Sequence, residues 1–227
     1  MVIFLHIPKT GGTTLRSSVL YHERKRGRII AGDHYPYGVH LILDGMKVSH
    51  RKYQYITIMR DPVSRLRSQI SYVQTGLDHY TDRAHRMIDL YKRDDMLAEC
   101  YEKGWLCNLM TRQLSGLENP GDLDLLKGDF WKLRIYNPFS VGSLVEQDMD
   151  RLLEQAKKTV REMSFLMFTE RLDRDIKKLC SKFEFNLPKR LPSKRKTSRK
   201  MELDEDLLKK MNEYDIELYN YARSIWW

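Results

Sequence analysis

The chain opens on an unbroken apolar run, Val2-Ile3-Phe4-Leu5, continued by His6-Ile7. A run of this kind predicts a buried strand, here over 2–7. Pro8 breaks it, Gly11 and Gly12 turn the chain, and from about Thr14 to 26 the spacing suits a helix. The alternation then repeats. Arg28 to Ala31 reads as a short buried strand, and Tyr53-Gln54-Tyr55-Ile56-Thr57-Ile58-Met59 as a longer one. A helix over 62–75 follows, with Pro62 in its first turn, where the missing N–H is harmless. Mostly helical pattern runs on to about 115, with Trp105, Leu106, Leu109 and Leu114 on apolar faces, and 116–143 is rich in turn residues. Gln147 to Met163 is helical, Ser164 to Phe168 is another buried strand, Thr169 opens a helix to about Phe183, and Leu203 to Trp227 closes the chain as helix. Strands alternating with helices predict an α/β fold with a central parallel sheet flanked by helices on both faces.

The first turn carries chemistry. A strand, a glycine turn and a helix start form an anion cradle, because the helix N-terminus presents unpaired N–H groups and the positive end of its dipole. Gly11 and Gly12 let the backbone approach a phosphate, Lys9 adds a charge, and Thr10, Thr13 and Thr14 add hydroxyl donors. The residues therefore predict nucleotide-phosphate binding in a three-layer, P-loop-type fold. The order Lys9-Thr10-Gly11-Gly12 inverts the common GxxxxGK[ST] loop, and Asp61, between Arg60 and Pro62, is poorly suited to holding magnesium. That disfavours a magnesium-dependent NTPase. In the second strand–turn–helix, Arg60 stands at a strand's C-terminal edge, where open α/β sheets bind ligands, and Ser68 follows two helical turns on. The plainer alternative is that Gly11-Gly12 is only a turn and Asp61 only a helix cap.

HIPKTGGTTL followed by RDPVSRLRS resembles, residue by residue and in spacing, the two cofactor motifs of the sulfotransferases, in the branch of the heparan sulfate 2-O- and 6-O-sulfotransferases. The resemblance implies that 3′-phosphoadenylyl sulfate (PAPS) is the cofactor. Its 5′-phosphosulfate would lie on Lys9, Thr10, Gly11, Gly12, Thr13 and Thr14, and its 3′-phosphate on Arg60 and Ser68. It also implies that Lys9 steadies the charge building on the leaving phosphate. One sulfuryl group brings less charge than a triphosphate, so no metal is expected, and no zinc, EF-hand or HExxH spacing occurs.

Sulfuryl transfer to an alcohol needs a group that takes the hydroxyl proton, and imidazole suits because it titrates near neutrality. His34 follows the second strand on a loop of Gly, Pro and Tyr, and the similar enzymes carry a catalytic His in such a Gly-x-His setting. Of the remaining histidines, His6 is expected inside the first strand, packed against the sheet; none stands on a strand-end loop between the two motifs. The basic run 188–200 has loop composition; by itself it reads as a solvated tail or nucleic-acid patch. Its segment RKTSRK is similar to a loop that closes over PAPS in the 2-O-sulfotransferases. That implies cofactor contacts from Thr197 and Lys200, and an acceptor contact from Arg195. Asn108, Met110, Arg112 and Gln113 resemble a helix lining the family's acceptor cleft, which makes Arg112 an acceptor-site candidate.

Composition sets the outer bounds. A chain of 227 residues suits one domain, 1–227. No apolar run reaches transmembrane length and no signal peptide precedes the first strand, which gives the expectation of a cytoplasmic protein. Three cysteines, Cys100, Cys107 and Cys180, cannot all pair and favour reduced thiols. The net charge of +9 favours anionic partners. The resemblance implies a hydroxyl acceptor on a carbohydrate, a glycan or glycolipid, although a metabolite or a tyrosine would use the same core; no nucleic acid is expected. The rivals are a P-loop nucleotide kinase-like phosphotransferase, marked by magnesium-dependent ATP turnover, and a non-catalytic module binding PAP or nucleic acid.

Overall fold

The computed structural model describes residues 1–31, 53–75, 95–102, 106–115, 148–188 and 203–227. Within them four strands form one parallel sheet: β1 (Val2–Leu5), β2 (Ile29–Ala31), β3 (Gln54–Met59) and β4 (Phe165–Phe168), in the order β2-β1-β3-β4. The chain thus steps from β1 outward to β2, then returns to the other side of β1. This reversal makes the crevice beyond the C-terminal ends of β1 and β3 the switch point of the sheet.

Side-chain alternation splits the core into two layers. Ile3, Leu5, Tyr55, Met59, Leu166 and Phe168 face one side, against α4 (Leu109–Ser115), α5 (Met149–Glu162) and α8 (Glu213–Trp226). Val2, Phe4, Ile56, Ile58 and Met167 face the other, against α1 (12–25) and α6 (Leu172–Phe183). The crossover β1–β2 runs in the opposite direction to β3–β4, so right-handed connections put α1 and α5 on opposite faces. A third apolar cluster joins α2 (Pro62–Thr75), α3 (Met96–Glu102) and α7 (Glu205–Lys210) through Leu66, Ile70, Met96, Cys100 and Leu208. The three-layer α/β arrangement expected from the hydrophobic pattern is the one observed.

The first strand is shorter than its apolar run. It ends at Leu5, because the chain beyond must turn into the loop; His6 lies past the strand and stacks on Phe4, with ring centroids 5.6 Å apart. The helix α1 is regular over Gly12–Leu15, widens to π geometry over Arg16–Leu20 and is regular again over Tyr21–Lys25. The Thr14 carbonyl accepts from the hydroxyls of Ser17 (3.3 Å) and Ser18 (2.6 Å), side-chain bonds of the kind that disturb a helix ladder.

Two helix starts cap each other. The fully buried Asp215 carboxylate of α8 accepts from the backbone N–H groups of Met110 (3.0 Å) and Thr111 (2.7 Å) and from the Thr111 hydroxyl (2.9 Å). In return, Asn108 Oδ1, on a residue with φ 47°, accepts from Tyr214 N and Asp215 N. Both sets satisfy helix N–H groups that have no partner within their own helix. Asp215→Ala is expected to cost about 3 kcal/mol, the scale of charged hydrogen bonds lost in a buried place. Urea denaturation checks it, through a lower midpoint at unchanged slope.

All three cysteines, Cys100, Cys107 and Cys180, are buried. Burial pushes the Cys107 and Cys180 thiols up to about 11, so neither is a thiolate near neutrality.

Candidate active site

Two loops meet at the switch point. The first leaves β1 through Lys9 and Gly11, both in the left-handed region (φ 64° and 92°), and enters α1 at Gly12. Gly11 starts the helix without a side-chain cap, and its carbonyl accepts from Thr14 N (3.0 Å) and Leu15 N (3.4 Å). No acidic residue stands in the first turn of α1. A helix start so arranged keeps its positive end for an outside anion. Gly12 is required for a different reason. A Cβ there would lie 2.1 Å from His6 Cδ2 and 2.2 Å from His6 Nε2, so the loop lies directly on the buried His6 ring.

The second loop leaves β3 at Arg60. Asp61 caps α2, its Oδ1 accepting from Ser64 N (2.8 Å) and its carbonyl from Arg65 N (2.8 Å). The cap function read for Asp61 therefore holds, and it fixes where α2 begins. Ser68 lies on α2 in helical register with Asp61 and Ser64, half-buried like Ser64.

The loops touch. Arg60 Nη1 donates to the Lys9 carbonyl at 3.1 Å. Burial lowers the Arg60 pKa, while Glu170 and Asp61 act against that. The turn after β4, Thr169–Arg171, braces both loops. The Thr169 hydroxyl donates to the carbonyls of Thr10 (2.5 Å) and Met59 (3.1 Å), and Glu170 Oε1 accepts from Asp61 N (3.0 Å). Burial, and then the Glu170 carboxylate that accepts from its hydroxyl, raise the pKa of the Tyr219 phenol of α8.

Among the residues singled out in the sequence, Lys9, Thr10, Gly11, Gly12, Thr13, Thr14 and Arg60 come together at this crevice, and Ser68 stands on the helix that Arg60 introduces. One role needs correcting. The Thr10 side chain is fully buried and its hydroxyl donates to the Ile7 carbonyl (2.7 Å), closing the turn, so its hydroxyl is not directed to a ligand. Thr13 is exposed and Thr14 half-buried at the helix start. Arg112, half-buried on α4, has its pKa lowered by burial. Its neighbour Gln113 donates from Nε2 to the His6 carbonyl (3.1 Å), which ties α4 to the base of the first loop. His34, Arg195, Thr197 and Lys200 lie outside the described residues. Thr169 and Glu170, expected from the pattern to open a helix, also brace the two loops; a hydroxyl and a carboxylate directly after a buried strand are the signal in the chain for that role.

No protein-family model matches the chain. Among curated proteins, it is 28% identical over a 276-residue alignment to heparan-sulfate 6-O-sulfotransferase 1 of Cricetulus griseus, covering 99% of this chain and 67% of the relative. The Homo sapiens protein of the same name is 28% identical, covering 99% of this chain and 65% of the relative. That of Gallus gallus is 31% identical over 183 residues, 76% of this chain and 43% of the relative. These likenesses support assignment of the chain to the heparan sulfate sulfotransferase family. It spans 65–67% of the length of the mammalian heparan-sulfate 6-O-sulfotransferase 1 relatives. The expectation of a cytoplasmic protein is overturned by these relatives, because they are enzymes of a glycan modified in the Golgi lumen. Lack of a long apolar run was the wrong guide to compartment: among the described residues no helix is long and apolar enough to cross a membrane, and that statement carries no address.

Proposed function

We propose that this protein moves a sulfuryl group from PAPS to a carbohydrate hydroxyl, on a heparan-type glycan. The observation that carries the reading is the bond between Arg60 and the Lys9 carbonyl at the switch point. It brings two cationic motifs, far apart in sequence, to adjacent strand ends, as gripping both ends of one nucleotide requires. The donors present suit a 3′,5′-bisphosphate. The uncapped start of α1, with Lys9, Thr13 and Thr14, offers N–H groups, a cation and hydroxyls to the 5′-phosphate. Arg60 and Ser68 offer a guanidinium and a hydroxyl to the 3′-phosphate. When bound, PAPS supplies the activated sulfuryl group.

In this account the chain's residues divide the work. His34 takes the proton of the acceptor hydroxyl as its oxygen attacks sulfur. Lys9 stabilises the charge left on the departing phosphate. Thr197 and Lys200 of the basic segment close on the nucleotide, and Arg195 and Arg112 meet the anionic acceptor. Transfer is in line and loose, so positioning and electrostatics carry most of the acceleration. The whole chain works as one sulfotransferase domain.

The test is transfer of labelled sulfate from PAPS to a panel of heparan-type glycans. Labelled glycan is the expected product. Absence of transfer to every glycan, or magnesium-dependent ATP turnover instead, overturns the proposal. A smaller prediction isolates one end of the nucleotide. Arg60→Ala weakens PAP binding by about 1.5–3 kcal/mol, the scale of hydrogen bonds to charged groups. Calorimetry finding unchanged PAP affinity removes Arg60 from the site.

A further inference from the structure

A two-ended grip works only if its halves are held at a fixed separation. The loops carrying Lys9 and Arg60 belong to neighbouring strands, and each loop carries a carbonyl directed at the same point: Thr10 O just before Gly11, and Met59 O just before Arg60. The Thr169 hydroxyl stands between them, 2.5 Å from the first and 3.1 Å from the second. A hydroxyl has one proton, so the two acceptors share it. Two carbonyl oxygens repel one another, and the shared proton is what lets them stay close. The next residue, Glu170, takes the N–H of Asp61, the residue after Arg60. The turn after β4 therefore holds the first loop at Thr10 and the second on both sides of Arg60. A Cβ on Gly11 would also lie 3.0 Å from Leu172 Cδ2, so the start of α6, directly after this turn, closes on the first loop.

We propose that Thr169 is a positioning residue that sets the separation of the two anion-gripping loops, and so the preference of this protein for a nucleotide phosphorylated at both 3′ and 5′ positions. The inference rests on the proposed reading of the site. Thr169 does not bind the nucleotide; it acts through Thr10 and Met59. Removing its hydroxyl costs little to a ligand that uses the first loop alone, and much to one that must span both loops.

The probes are PAP and 5′-AMP, which share the nucleoside and the 5′-phosphate and differ in the 3′-phosphate. Calorimetry on the full chain compares Thr169→Val, which keeps the shape and removes the proton, with Thr169→Ser, which keeps the hydroxyl. Thr169→Val raises the Kd for PAP by about tenfold, the reach of one net hydrogen bond, and changes that for 5′-AMP by less than about twofold. Thr169→Ser restores the ratio of the two. Should the valine variant not fold, Thr169→Cys, a weaker donor of similar size, gives a ratio between the two. A general loss of stability weakens both ligands together and leaves their ratio intact. Equal changes for PAP and 5′-AMP, or no change for either, overturn the inference while leaving the site itself standing. A wild-type protein that does not prefer PAP to 5′-AMP overturns the two-ended reading of the site and this inference with it.

Discussion

His34→Ala is expected to lower the rate of sulfuryl transfer by about 10²–10⁴-fold, the usual contribution of a general base. PAP affinity is expected to stay within about twofold, because a base in the proposed role acts on the acceptor hydroxyl and not on the nucleotide phosphates. The separation of the two effects is the content of the prediction. A residue that holds the loop lowers binding and turnover together; a base lowers turnover alone. Initial rates with labelled PAPS, set beside PAP calorimetry on the same preparation, give both quantities. Parallel loss of PAP binding and turnover assigns His34 a structural role and leaves the proton without an acceptor.

Gly12→Ala is the second large effect, and it follows from packing. The added methyl would come within 2.1 Å of the His6 ring. That ring is buried and stacked on Phe4, and the His6 carbonyl is held by Gln113, so it has little room to yield. Either the ring moves into the core or the loop moves off the sheet. The first costs about 1–3 kcal/mol of stability as overpacking. The second displaces the start of α1 from the 5′-phosphate, and misplacement by about 1 Å costs on the order of 10²-fold in rate. Thermal unfolding and PAP titration read the two outcomes. A variant of wild-type stability with wild-type PAP affinity contradicts the close approach of loop and ring.

The layers were legible because strand and helix patterns in this chain are clean. The runs Val2–Leu5 and Phe165–Phe168 are apolar on both faces, as strands covered by helices on both sides must be. The helix over 62–75 was placed correctly because Pro62 and Asp61 mark its start chemically. The meeting of Lys9 and Arg60 was legible only through the spacing of the motifs, since nothing local to either segment records strand order. What escaped the sequence was mostly long-range. Thr169 acts on Thr10 and Met59, and Asp215 on Met110 and Thr111; each pair is separated by about a hundred residues or more. Short polar side chains in such places look like ordinary turn and helix residues until the fold brings them to their partners. Thr10 differs from expectation for a related reason: a hydroxyl in a glycine turn has the look of a ligand donor, and here it serves the turn.

The most direct measurement is a crystal structure of the chain with PAP. The account predicts the 5′-phosphate at the start of α1 against Lys9 and Gly12, and the 3′-phosphate against Arg60 and Ser68. The imidazole of His34 should face the open side of the 5′-phosphate, where the sulfate of the donor would stand. A nucleotide bound away from the β1–β3 crevice, or one whose 3′-phosphate does not reach Arg60, contradicts it.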